Sequence, residues 1–491
     1  MIGGNLTVKV SLKNVGMLDE AEFEVGDLTI ICGENNTGKT YATYSLYGYL
    51  DFVRGDTNYV IFDLLKNITE NYVDILDEYR IKIYSKNMEK IIANLFEELE
   101  SNYKTNLAAI LAGRDEDFDS SVFNTSSKEA MISYIEYDNN EDNKKNIKEF
   151  FSHSPQFELV EITEQYFLFS YEKSKNHFNE KMQKDVNYRK ESFVLALLNY
   201  IIIISHPVAF ILSAERTGAS MFQKELDVNK NEIVEKISRA DTKNIQQTVF
   251  NVLNSNYSRY PKPVKDNIYF VRELDEVSKK VSFIKQECSV LHKEIIELLY
   301  KIVGGKYIVS EIGIEFAPGA KQRITKGKFL IQRASSSVRS LLMLNYYILH
   351  IAQSGNILMI DEPELNLHPN NQVFMGRLIA LLVNAGIKVF ITTHSDYIVR
   401  ELSNCIMLNN LTDEQISRFQ KSGYTKEYKL KSNKVRAYVA QNNNRKNILR
   451  EIKVDSIRGI FMNTFDEPIN SQNENQGFIF EEIYNGLRYD E

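Results

Sequence analysis

The chain has 491 residues, 43% of them hydrophobic, with 59 Lys and Arg against 66 Asp and Glu for a net charge of −7. That length holds about two to four units of ordinary domain size, and the hydrophobic share suffices for a large core, which excludes global disorder. The 22 Gly and 8 Pro exclude a collagen-like or linker-dominated chain, and the near balance of charge excludes a polybasic binder while leaving room for local basic patches.

In chain order, residues 5–32 alternate apolar and polar in two runs, the second ending in a solid apolar strand at Leu28–Cys32. A Gly-rich turn and a helix over Tyr41–Phe52 follow, so the opening reads as α/β. Residues 56–155 are polar with helical period and predict an inserted lobe outside the central sheet. The alternation over residues 156–172 predicts paired strands, and Phe193–Ser205 predicts a buried helix. That last run is broken by Asn199 and is too short to span a bilayer, while Met1–Asn14 lacks the apolar core of a signal peptide. Pro207–Ser213 reads as a second core strand. Glu225–Val303 is helical apart from the break at Tyr260–Pro263, which predicts an αα-hairpin whose second half is either packed on its neighbour or protruding. Strands return near Tyr307–Phe316, Phe329–Gln332, Ile357–Ile360 and Val389–Thr392, with a helix over Ser336–Ala352. Cys32, Cys288 and Cys405 lack metal-ligand spacing and cannot form a disulfide framework, so a reduced, cytoplasmic protein with no membrane contact is expected.

Three motifs carry chemistry. Gly33–Thr40 (GENNTGKT) matches G-x-x-x-x-G-K-[ST] in full, after a strand and before a helix. Its glycines let main-chain N–H groups face a polyphosphate, Lys39 supplies a point charge, and Thr40 offers a hydroxyl to Mg²⁺. Asn356–Pro363 (NILMIDEP) is an apolar strand ending in two carboxylates. Asp361 can reach the metal shell beside a phosphate loop, and Glu362 can orient or deprotonate water. Thr393–Ser395 (THS) follows another buried strand and places an imidazole, His394, where a phosphate could be sensed.

Together with the Ser-rich helix start Ala334–Ser340 and the run IDEPELNLHP, this order resembles the ABC-type ATPases of the SMC, RecF and OLD group. The likeness covers residues 1–50, 200–220 and about 305–402, and implies an α/β, ABC-type P-loop ATPase head that takes ATP and Mg²⁺. It places Gly33, Asn35, Asn36, Thr37, Gly38, Lys39 and Thr40 around the nucleotide, with Thr40 and Asp361 on the metal. Glu362 would be the catalytic base, His394 the switch histidine, and Leu365–His368 the D-loop. Ser335, Ser336 and Ser337 would form the signature presented to a facing subunit's γ-phosphate, or simply cap their helix. The signature lacks the family's paired glycines. Ser213-Ala-Glu-Arg216 stands where a Q-loop glutamine belongs, and Glu215 either replaces it or pairs with Arg216.

On this reading the head comprises residues 1–55, 156–220 and 304–410. A mainly helical lobe at 56–155 and a helical hairpin arm at 221–303 interrupt it. Residues 411–491 form a coda, basic from Arg418 to Arg450 (ten Lys/Arg, one acid) and acidic from Asp466 to Glu491 (seven acids, one base). After Leu402, 89 residues remain, which is short for the Toprim nuclease of OLD proteins. The segments AERTG and ASSSVRS resemble those of stand-alone ATPases from bacterial anti-phage systems such as PARIS and Septu. This implies homodimers or higher oligomers that sandwich ATP and restrain a separate effector, a nuclease, until infection is sensed. The alternative is a RecF- or SMC-like repair ATPase that clamps DNA, and a third reading is a scaffold with structural nucleotide. The arm is too short for an SMC coiled coil and lacks a basic stripe, which favours the defence reading. A phage-encoded trigger and nucleic acid stay open as further partners.

Overall fold

Three strands open the chain: β1 (Val8–Val15), β2 (Leu18–Val25) and β3 (Leu28–Gly33). The computed structural model describes residues 8–55, 57–77, 79–136, 141–171, 185–222, 260–319, 327–418, 422–461 and 470–481. Five strands follow before residue 171: β4 (Asp74–Ile75), β5 (Arg80–Tyr84), β6 (Val122–Thr125), β7 (Glu158–Ile162) and β8 (Tyr166–Ser170). Then come β9 (Ala209–Leu212), β10 (Gly305–Ser310), β11 (Gly313–Pro318), β12 (Phe329–Leu330), β13 (Ile357–Asp361), β14 (Lys388–Thr393), β15 (Val435–Asn443) and β16 (Lys446–Ile452).

A nine-stranded sheet runs β6-β1-β2-β16-β15-β3-β14-β13-β9. β15, β3, β14, β13 and β9 are mutually parallel. β3 and β13 are buried along their whole length, as solid apolar runs must be when both faces are covered. Leu28, Ile30 and Cys32 join a core with the helices Val290–Val303, Ser336–Tyr346, Pro369–Asn384 and Asp396–Leu408. Ile31, Met359 and Phe390 face the opposite core with the helix Lys39–Gly55. The two-residue pleat period sorts one strand's side chains into two cores. The predicted α/β head is therefore present, and its strands end where an open parallel sheet binds ligands.

The inserted lobe departs from expectation in two ways. It contains the long helix Ser85–Lys104 and shorter ones, but also a four-stranded sheet β4-β5-β8-β7, so the strand pair at 156–172 belongs to the lobe and not to the head. In addition, β6 leaves the lobe to pair with β1 at the edge of the central sheet. Phe96, Tyr103 and Phe123 share one core with Tyr49 of the first helix, so lobe and head bury their apolar faces together.

Of the predicted helical pair, residues 223–259 lie outside the described residues. The half after Tyr260 is four short helices, Lys262–Arg272, Leu274–Ser278, Phe283–Gln286 and Val290–Val303. Ile268, Leu274, Ile284, Ile295 and Leu299 are buried in the head core, so this half is packed and does not protrude. Asn267 seals the end of β9: its amide donates to the Ile211 carbonyl at 2.6 Å and its oxygen accepts from Ser213 N–H at 2.9 Å.

The coda corrects the boundary at residue 410. β15 lies parallel against β3, and β16 returns antiparallel beside it and meets β2, so residues 435–452 are central strands of the head. Their two-residue turn, Asn444–Arg445, has positive φ at both positions (50° and 67°), the twist a tight hairpin prefers. Much of the basic run is already paired: Arg418 with Glu414, Lys429 with Asp413, Lys434 with Asp27 and Arg436 with Glu24. Residues 470–481 form an exposed helix, and the rest of the acidic tail lies outside the described residues. Among the described residues, no helix is long and apolar enough to cross a membrane, and no cysteine is in a disulfide.

Candidate active site

The carboxyl ends of β3, β14 and β13 lie side by side, with Cys32 opposite Thr393 and Thr392 opposite Asp361. Sequence-distant motifs meet there because adjacent parallel strands end in register. Gly33 turns at φ 135°, and a Cβ at that position would fall 2.0 Å from the Ala440 carbonyl oxygen of β15, so no other residue fits. Gly38 turns at φ 90°, and a Cβ there would fall 2.9 Å from the Leu18 side chain. Between them, Asn35 and Asn36 are exposed, Asn36 at φ 61°, and Thr37 donates its hydroxyl to the Glu34 carbonyl at 2.8 Å. Asn447 of β16 braces the loop from outside, its amide donating to the carbonyls of Met17 at 2.8 Å and Asn36 at 3.3 Å.

Lys39 is buried and folds back onto its own loop, its ammonium donating to the carbonyls of Gly33 and Glu34. Burial lowers its pKa, and the carboxylates of Asp361, Glu362 and Glu364 oppose that. A polyphosphate would take over the donors that these two carbonyls now occupy. Thr40, exposed at the first helical turn, donates to Asp361 Oδ2 at 3.4 Å. Asp361 is 2% exposed, accepts from the Thr392 hydroxyl, and has its pKa pushed up to about 6, first by burial. A hydroxyl beside a buried carboxylate suits a small hard cation that takes its other ligands from water and phosphate. Among the described residues, no group of three or more His, Cys, Asp or Glu could hold a metal by itself.

Glu362 adopts φ 52°, a costly conformation for a residue with a side chain. Its N–H donates to the Thr392 carbonyl at 3.1 Å and its carbonyl accepts from Arg216 at 2.6 Å, so the backbone is held on both sides. His394 is half-buried, and its pKa is lowered, first by burial and then by the Lys39 charge. The P-loop, Asp361, Glu362 and His394 thus lie together at these strand ends. Ser335 instead caps its own helix by accepting from Val338 N–H and bonds to Ser337, while Ser336 accepts from Arg339. Among the described residues, no hydrogen bond of these three serines reaches the P-loop.

Two contributors, Glu364 and Asn447, were not singled out from sequence, and a third, Arg216, was named only as a possible partner of Glu215. Glu364 ties the turn after β13 to the end of β14: its carboxylate accepts from the Thr393 hydroxyl at 2.8 Å and from His394 N–H at 2.6 Å. Asn447 sits in the misread coda. Arg216, 3% exposed, donates only to main-chain carbonyls: Ser213 at 2.9 Å, Asp361 at 2.6 Å, Glu362 at 2.6 Å and Ser340 at 3.2 Å. It does not pair with Glu215, whose carboxylate accepts from Tyr44 at 3.1 Å, so that alternative is corrected. The AERTG segment thereby joins the serine-headed helix to the strand that ends in Asp361. Ser220 reinforces the joint by donating to the Arg339 carbonyl at 3.2 Å.

Among known families, the one described as AAA ATPase domain matches residues 8–399. No curated protein matches the chain. Among solved structures, the chain is similar to an SmcHead bound to the C-winged helix domain of ScpA, at 12% identity over 91% of this chain and 98% of that one, with a TM-score of 0.31. It is also similar to the Smc head domain with an extended coiled coil bound to the C-terminal domain of ScpA derived from Pyrococcus furiosus. There the identity is 11% over 96% of this chain and 99% of that one, with a TM-score of 0.29. At such scores neither likeness carries weight for this chain.

Proposed function

The chain belongs to the AAA ATPase domain family, and from that premise we propose that it hydrolyses ATP with Mg²⁺ at the site between β3, β13 and β14. The observation that carries this is the convergence of Lys39, Thr40, Asp361, Glu362 and His394 at the ends of adjacent parallel strands. Main-chain N–H groups of Gly33–Thr40 and the Lys39 ammonium hold the phosphates, and Thr40 and Asp361 hold the metal. Mg²⁺ supplies charge neutralisation to the phosphates. Glu362 accepts the proton of the attacking water, with its carboxylate free of hydrogen bonds to the described residues. His394 can donate a ring N–H to the γ-phosphate. Glu362→Gln should retain ATP binding and turn over at least about tenfold more slowly. An unchanged steady-state rate would remove Glu362 from the catalytic role.

We further propose that the serines at 335–337 complete the site of a facing copy, giving ATP-sandwiched dimers. In this reading the dimer belongs to an anti-phage system and restrains a separate nuclease effector. Support comes from the AERTG and ASSSVRS segments, which are joined through Arg216, with Ser220 just beyond AERTG adding a second bond, and so form one unit between the metal strand and the helix start. Ser336→Arg puts bulk and charge where the opposing γ-phosphate would lie. Combined with Glu362→Gln, it should abolish the ATP-dependent rise in size-exclusion mass, and alone it should abolish protection of cells challenged with phage. An unchanged mass refutes the dimer, and intact protection refutes its place in defence.

A further inference from the structure

A second cavity, of about 300 Å³, lies at the far end of the helix that begins with the serines. That helix, Ser336–Tyr346, runs into a π-helical turn at Tyr347–Ile351, a widened geometry that recurs at functional sites. Asn345, Tyr346 and His350 line the cavity from this side, and Lys285, Tyr300 and Lys306 from the facing elements. Asn345 is 6% exposed, yet its amide makes no hydrogen bond to the described residues. The side chain lines the cavity, so its amide donor and acceptor are open to an occupant. Among the described residues, Lys285 and Lys306 make no ion pair and no Asp or Glu lines the cavity. His350 donates its Nδ1–H to the Lys280 carbonyl at 2.7 Å and stacks on Tyr346 with centroids 5.4 Å apart. His350 therefore presents Nε2 as an acceptor.

We propose that this cavity binds a mononucleotide, a phosphorylated base, at a site separate from the P-loop. Two unpaired ammonium groups suit a phosphate. The rings of Tyr300, Tyr346 and His350 suit the face of a base. The Asn345 amide, with donor and acceptor in one plane, suits a base edge. The volume lies at the lower end of small-ligand sites, which fits one nucleotide and no longer polymer. Because Asn345 and Tyr346 close the helix whose first turn carries Ser335–Ser337, an occupant would bear on the surface offered to a facing subunit.

The probe is AMP, titrated calorimetrically into full-length protein carrying Lys39→Ala so that the P-loop does not contribute heat. One AMP per chain should bind at least about tenfold more tightly than inorganic phosphate or adenosine alone. The double variant Lys285→Glu with Lys306→Glu, both exposed and free of ion pairs to the described residues, should lose that binding while keeping its thermal midpoint. Asn345→Leu should weaken it at least about fivefold by removing the edge contact. No saturable AMP binding, AMP binding untouched by the charge reversal, or phosphate binding equal to that of AMP would each overturn the proposal.

Discussion

Asp361→Asn is expected to lose ATP turnover by roughly a hundredfold or more while making the nucleotide-free protein more stable at neutral pH. Both effects come from one carboxylate. Its pKa is raised from 3.8 to about 6, chiefly by burial, so the folded state holds its proton more tightly than the unfolded chain does. The stabilisation from that bound proton is complete below the unfolded value and is lost as pH climbs from about 4 through about 6. Above that range the folded protein carries an ionised group at a cost of about 3 kcal/mol, which an amide avoids. Chemical denaturation without nucleotide should therefore show the Asp361→Asn variant more stable than wild type at pH 7.5, with the gap narrowing by about half at pH 5. A variant less stable than wild type at pH 7.5, or a gap independent of pH, would mean that burial does not raise the Asp361 pKa in the folded protein. Wild-type affinity for ATP with Mg²⁺ should likewise fall as pH drops below about 6, since the metal must displace that proton.

Arg216→Met should be the most destabilising single change in the head, by about 3–5 kcal/mol. The guanidinium donates to four carbonyls from three segments of chain, and a side chain of similar length without donors removes all of these bonds, leaving the Ser213 carbonyl with the Arg216 N–H at 3.2 Å. Arg216→Lys should recover only part of the loss, because one ammonium cannot reproduce a planar fork of donors. Denaturation midpoints and m-values of the two variants measure this, and a loss under about 1 kcal/mol in Arg216→Met would mean the joint is held by packing alone.

What could be read from the sequence tracks how local each signal is. Gly33–Thr40, Asp361, Glu362 and His394 each end an apolar strand within a short motif, and strand ends in a parallel sheet must meet. Arg216 gave no such signal, because an arginine after Ala-Glu suggests an ion pair with its neighbour until its carbonyl partners, two of them 145 and 146 residues away, are in place. β15 and β16 were hidden by composition: VRAYVAQNN and KNILREI carry Lys, Arg and Asn on outward positions, so the run looked like a charged surface segment. The Asn443–Lys446 turn was the available clue. The lobe misled for the opposite reason, since its short strands, two to five residues each, sit among helices with a strong helical period.

The place of β15 sets the order in which this protein can be made. β3 is complete once residue 33 leaves the ribosome, but its two neighbours come from residues 388–393 and 435–443. Through nearly the whole of synthesis, the apolar strand that carries the phosphate loop has neither flank paired. Non-local pairing of this kind is slow, and an unpaired apolar edge invites association with other chains. The burden on chaperones should therefore fall on the nascent N-terminal half. A ribosome-stalled chain ending before residue 435 would present β3 with one edge open, and the loop at Gly33 would lack the Ala440 backbone against which it is shaped.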